Sequence, residues 1–268
     1  MKKFLMVMAI CLIIYDLGGA TAQAALQGNE VDYKAGGVTL KGYIVYDDAF
    51  KGKRPAVLVV HEWWGHNEYA RKRARMLAEQ GYTALAVDMY GDGKQAHHPD
   101  DAGKFATKVS RNMDMAKERF EAGMKLLRDH KTVDGDQLAA IGYCFGGSIV
   151  LNMARMGQDL KGVASFHGSL GNSNPAEPGK IKARIISFSG AADPMIGADS
   201  ITAFKKEMDH AKANYRVVVY PGAQHAFTNI EADKLGKKFK LPLAYNAEAD
   251  KDSWQQATVF LQEVFGKK

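Results

Sequence analysis

The sequence predicts an α/β fold with a mostly parallel central sheet and helices on both faces. Three observations carry this. Apolar runs such as Ala56-Val57-Leu58-Val59-Val60 are continuous rather than alternating, as in strands buried on both faces. Segments with helical spacing separate these runs, and repeated β-α units of this length imply right-handed crossovers within one parallel sheet. A glycine-rich turn, Gly142-Tyr143-Cys144-Phe145-Gly146-Gly147, joins the apolar run 138–141 to a further helical pattern.

Taken in order, Val38 to Tyr46 alternates apolar and polar residues and reads as an early antiparallel strand, paired with Glu30 to Tyr33. Ala56 to Val60 is the first central strand. Asn67 to Gln80 has helical spacing and stops at Gly81, and Thr83 to Val87 is the next strand. Asp114 to His130 forms a long amphipathic helix. Leu138 to Ile141 leads into the glycine turn, and Ser148 to Met156 continues as helix. Val163–Phe166, Arg184–Ser189 and Tyr215–Tyr220 read as strands, with helices at Ile201–Ala213 and Glu248–Phe265. In such a sheet, functional groups collect at the carboxyl ends of the strands.

The first residues read as a secretory signal peptide over 1–24. Lys2 and Lys3 precede an apolar stretch from Phe4 to Tyr15, and Ala22-Gln23-Ala24 places the cleavage after Ala24. The apolar stretch is too short to span a bilayer comfortably. The expectation is an exported, periplasmic or secreted protein with no stable membrane association after cleavage. Residues 25–268 then form a single domain with a large core. The formal net charge of +6 is spread along the chain, and the cluster Arg71-Lys72-Arg73-Ala74-Arg75 points around most of a helix. A solvated face fits this better than a nucleic-acid stripe, so no nucleic-acid partner is expected.

Cys144 lies at the centre of the glycine turn. Gly-x-Nuc-x-Gly is the strand-to-helix elbow of α/β-hydrolases, here with a thiol where serine is usual. The turn needs small residues two positions either side of the nucleophile, and the helix that follows favours a thiolate at its N-terminus. Of the two cysteines in the chain, Cys11 falls in the leader, which leaves Cys144 without an internal disulfide partner. Asp193 follows the run ending at Ser189, and His225 follows the last strand. Nucleophile, acid and histidine thus occur in α/β-hydrolase order. The thiol requires a base, since it titrates near ~8.5 when free, and the histidine requires a carboxylate to fix its tautomer.

With these motifs the chain resembles the dienelactone hydrolase family from about Tyr33 to Phe265. The motifs are Gly-Tyr-Cys-Phe-Gly-Gly, the Gly190-to-Pro194 segment, the His225 loop and His61-Glu62-Trp63-Trp64-Gly65. The resemblance implies that Glu62 contacts Cys144 and helps deprotonate it when substrate arrives. It implies backbone N–H groups of Trp63 and Phe145 as the oxyanion hole, and cleavage of small esters or lactones through an acyl-thiol without a cofactor. It also locates a departure. Family members that hold a substrate carboxylate do so with arginines, one of them at the position of Asn229 and another in the segment 100–108, where this chain has Lys104 and Lys108. Lysine does not replace the arginine fork. Asn229 is therefore expected to bear on substrate choice and to touch no chemical step.

Two other readings compete with hydrolysis: a thiol redox or peroxide-reactive protein cycling Cys144 through sulfenic acid, and a catalytically silent binding protein. The first lacks a resolving cysteine; both leave the residue order unexplained. His61, Glu62 and His66, and the run His97 to Asp101, lack helical metal-ligand spacing and read as surface-loop histidines and capping acids, so no metal is expected. Gly91-Asp92-Gly93-Lys94 lacks phosphate-loop spacing and reads as a solvent-facing turn.

Overall fold

The computed structural model describes residues 26–171 and 174–266, so the expected leader lies outside the described residues. Strands β1 (Leu26–Ala35) and β2 (Val38–Asp47) form an antiparallel hairpin. Gly36 and Gly37 both take positive φ at its two-residue turn, as the primed turns that match strand twist require. β2 also runs antiparallel to β4 (Thr83–Val87). From β4 onward the sheet is parallel, through β3 (Arg54–Val60), β5 (Val133–Tyr143), β6 (Gly162–Phe166), β7 (Arg184–Gly190) and β8 (Tyr215–Tyr220). The order across the eight strands is β1-β2-β4-β3-β5-β6-β7-β8.

The continuous apolar runs have the expected cause. Along β3, Leu58 and Val60 enter one core and Val57 and Val59 the other, because side chains alternate across a strand. The first core is closed by α3 (Met113–Asp129), α4 (Phe145–Arg155) and α5 (Ala198–His210), through Phe120, Ile149 and Phe204. The second is closed by α1 (Glu68–Ala78) and α7 (Ala247–Val264), through Leu77 and Phe260. Caps set several helix starts: Asn67, Asn112 and Asn246 each accept a backbone N–H of their own first turn.

Two helices lie outside the elements assigned from the sequence. Helix α2 (Pro99–Ser110) buries only Ala102 and Val109, and α6 (Ala232–Phe239) buries only Ala232 and Gly236. Each does carry apolar residues at helical spacing, Ala102, Phe105 and Val109 on α2 and Ala232, Leu235 and Phe239 on α6, within otherwise polar segments. The helix after the elbow begins at Phe145 rather than Ser148, directly behind Cys144. The basic cluster on α1 is not a solvated face throughout. Arg73 is buried, pairs with Asp250 at 2.6 Å and donates to the Thr228 carbonyl at 2.7 Å.

The elbow is a close approach of backbones. A Cβ at Gly146 would collide with the carbonyl oxygens of Val60 and His61, and one at Gly142 with the carbonyl of Gly146. Gly146→Ala is expected to destabilise the chain by about 3 kcal/mol or more, the upper range for overpacking. Gly103→Ala on α2, where a Cβ meets nothing within 4 Å, is expected to stabilise by about 0.5–1 kcal/mol through helix propensity. Urea denaturation of the two variants checks both signs; equal midpoints would show that the elbow has room to spare.

Candidate active site

Each expected site residue stands just beyond the carboxyl end of a parallel strand: Glu62 after β3, Cys144 after β5, Asp193 after β7 and His225 after β8. Cys144 has φ 52° and ψ −115°, a strained position for a residue with a Cβ. Its Sγ lies 3.1 Å from His225 Nε2. His225 Nδ1 lies 2.8 Å from Asp193 Oδ2, and Asp193 Oδ1 accepts the Met195 N–H at 2.8 Å. The carboxylate leaves Nδ1 as the donor, so Nε2 faces the sulfur. Burial opposes a charge on His225, but the neighbouring sulfur and the Asp193 carboxylate outweigh it and push the imidazole up to about 10.

Glu62 is fully buried beside this relay. Its Oε2 accepts from Asn229 Nδ2 at 2.7 Å. Burial raises its carboxyl to about 7, against the lowering effects of the Asn229 bond, His225 and Arg73. This corrects the expectation for Asn229. It is buried, and it donates to the Glu62 carboxylate rather than standing apart from the expected site residues. Among the described residues, Trp63 N–H has no hydrogen-bond acceptor, and Phe145 opens α4, where the first N–H groups are free of intrahelical partners. Trp64 lines a cavity of about 650 Å³ together with Asn229, Phe239 and Tyr245, while Trp63 packs on the core beside Phe105. Cys144, Asp193 and His225 are not among the residues lining that cavity.

His167 went unnoticed in the sequence. It follows β6, is fully buried, and its Nδ1 accepts the Cys144 N–H at 3.1 Å, while Nε2 meets Thr228 Oγ1 at 2.7 Å. Burial holds it neutral, with His225 and Arg73 adding in the same direction. Thr228 Oγ1 also meets the Tyr69 hydroxyl at 2.6 Å. These bonds tie the elbow, the His225 loop and α1 together. The available signal was position: a histidine directly after a central strand, at the carboxyl edge of the sheet.

The remaining candidates separate. His97 and His98 are exposed, and His98 caps α2. His61 and His66 are buried, which corrects the surface-loop reading for both. No group of three or more metal-ligating side chains occurs among the described residues. The N–H groups of Gly91 and Gly93 are bound at 2.8 Å each by the buried Asp88 carboxylate, so this turn is held from within and offers them to no phosphate.

The family model for dienelactone hydrolases matches residues 40–265. The chain belongs to the dienelactone hydrolase family. A solved dienelactone hydrolase-like promiscuous phosphotriesterase from metagenomic libraries is 32% identical, with a TM-score of 0.84 over 90% of this chain and 99% of that one. A protein of Aquifex aeolicus named as a candidate carboxymethylenebutenolidase is 26% identical over 88% of this chain and 98% of its own. A Bradyrhizobium protein named as a probable 2-oxo-3-(5-oxofuran-2-ylidene)propanoate lactonase is 27% identical over 81% of this chain and 87% of its own. This dienelactone hydrolase relative is accordingly an enzyme, a hydrolase acting on ester bonds.

The buried Glu62 has a consequence for stability. Its folded value of about 7 stands above the ordinary 4.5, so the folded chain binds this proton more tightly. The stability this supplies is complete below the ordinary value and is lost as pH rises through the folded one. Glu62→Gln is expected to match the parent at pH ~4 and to exceed it at pH ~8 by on the order of 1–3 kcal/mol. Urea midpoints at the two pH values test this; a variant less stable at the higher pH would overturn it.

Proposed function

We propose that this chain is an exported, cysteine-dependent hydrolase of small esters or lactones that works through an acyl-thiol on Cys144. The observation that carries the reading is the relay from Asp193 through His225 to the Cys144 sulfur, with bonds of 2.8 and 3.1 Å. The thiolate attacks the ester carbonyl. His225 Nε2 then gives its proton to the departing alkoxide. In the second half, Nε2 takes a proton from water, which attacks the acyl-thiol and releases the acid and the thiolate. The N–H groups of Trp63 and Phe145 receive the oxyanion. Glu62 helps form the thiolate, taking the Cys144 proton when substrate loosens its bond to Asn229 and passing it to His225, and its elevated pKa suits work near neutrality.

The family's two-pronged hold on a substrate carboxylate is missing at the two expected positions. An amide rather than a guanidinium faces Glu62, and Lys104 on α2 is exposed and paired with Asp101 at 3.4 Å. Neither offers the two-pronged contact that would hold a substrate carboxylate.

Cys144→Ala is expected to abolish turnover of p-nitrophenyl acetate, and iodoacetamide to abolish it in the parent. Cys144→Ser is expected to keep far less than parental activity, because an alkoxide is harder to form than a thiolate. His225→Ala and Asp193→Asn are expected to lower kcat by orders of magnitude in folded protein, the latter through the wrong histidine tautomer. Parental kcat in Cys144→Ala removes the mechanism. A peroxide-labile thiol without turnover favours the redox reading, and neither property the silent binding protein. Export is tested separately by the intact mass of the secreted form, expected to begin at or near Ala25; a mass that retains Met1 to Ala24 would defeat it.

A further inference from the structure

His61 is fully buried, and the relay above does not use it. Its Nδ1 lies 2.6 Å from the Glu62 carbonyl oxygen, and its Nε2 lies 3.2 Å from the Met89 backbone nitrogen. A carbonyl only accepts and a backbone N–H only donates. The ring is therefore neutral, with its hydrogen on Nδ1 and its lone pair on Nε2. Two bonds at opposite ends fix both tautomer and orientation. Burial lowers the pKa of the ring, which agrees with a neutral imidazole.

The carbonyl that His61 holds belongs to the same peptide unit as the Trp63 N–H. In a trans peptide these two groups point in opposite directions, so fixing one aims the other. Gly65 N–H binds the same Glu62 oxygen at 3.1 Å. A carbonyl with two donors is more polarised, and hydrogen bonds of this kind strengthen the N–H at the other end of the amide. The next peptide is held too, with the Tyr90 hydroxyl donating to the Trp63 carbonyl at 3.0 Å. His61 also reaches the other side of the proposed oxyanion hole. Its ring stacks on that of Phe145 with centroids 5.6 Å apart and planes at 21°, and Tyr90 packs edge-on against it at 4.7 Å.

We infer that His61 is a positioning residue for the oxyanion hole, orienting the Trp63 N–H through the Glu62 carbonyl and bracing Phe145 through its ring. The inference rests on the acyl-thiol reading and deepens it. It makes a separable claim: His61 acts on stabilisation of the tetrahedral intermediate and leaves formation of the thiolate untouched.

The experiment compares two reactions of the same sulfur. Ester turnover passes through an oxyanion, whereas alkylation by iodoacetamide requires the thiolate but forms no oxyanion. His61→Leu is expected to lower kcat on p-nitrophenyl acetate by about 10²-fold, the scale of losing one oxyanion donor. KM and the iodoacetamide rate constant are expected to stay within about threefold of the parent, a bound that is small beside that loss. His61→Asn places an amide N–H where Nδ1 stands and is expected to recover at least tenfold of the lost kcat, whereas His61→Gln, whose amide reaches the Nε2 position, is expected not to. If His61→Leu does not fold, the Asn and Gln variants carry the test by themselves, and equal kcat in the two overturns the inference. Parental kcat in a folded His61→Leu also overturns it. So does a parallel loss of turnover and alkylation, which leaves the acyl-thiol reading standing. Turnover surviving in Cys144→Ala removes that reading whatever the His61 variants do.

Discussion

The site depends on one close approach, that of the α4 N-terminus to the end of β3. With glycine at 146 the first turn of α4 lies against the Val60 and His61 carbonyls, and no side chain intervenes. That contact sets the distance between two strand ends. It brings the Glu62–Trp63 peptide beside Phe145, and it forces Cys144 into a positive φ that lifts the sulfur out of the sheet. The strain, of order 1–3 kcal/mol for such a residue, is held by the two buried cores on either face. Rigid packing above and below the sheet is what allows a strained residue to persist at its edge.

Around this contact lies a shell of buried polar groups whose bonds lock one another. Arg73 links α1 to the His225 loop through the Thr228 carbonyl and to α7 through Asp250. The Thr228 hydroxyl meets both Tyr69 and His167, and His167 accepts the Cys144 N–H. His61 and Asp88 do comparable work beneath the β3 and β4 ends. Buried groups of this sort are costly when half satisfied and stiffening when complete. Their partners come from different loops, so each loop's position constrains the others.

Much of the fold was legible in the sequence because its signals are local. Continuous apolar runs marked the strands, Gly81 ended a helix, and the glycine spacing marked the elbow. Cys144, Asp193 and His225 were legible as well, since order along the chain and position after a strand are both one-dimensional properties. What stayed hidden is pairwise. Nothing near Arg73 in the sequence reveals that Asp250 will neutralise it, and its neighbours on α1 do point to solvent or to surface acids. Nothing near Asn229 reveals Glu62. His61 and His66 looked like loop histidines because they follow a strand, yet the return of the chain at Met89 and Gln95 covers them. The helices α2 and α6 are mostly polar segments whose few larger apolar residues, Phe105 and Val109 on one and Leu235 and Phe239 on the other, reach the body.

The sequence separations inside the site bear on how the molecule assembles. Cys144 and His225 are 81 residues apart, and Glu62 and Asn229 are 167 apart. Bonds between such distant segments reward the chain only after long loops have closed, so they form late, after the helices and neighbouring strands. A refolding chain therefore regains its circular dichroism before its reactive thiol is properly held. During that interval the sulfur lacks both its imidazole and its fixed peptide dipoles. Competence at Cys144 is thus tied to the closure of these long loops rather than to the formation of any one helix or strand.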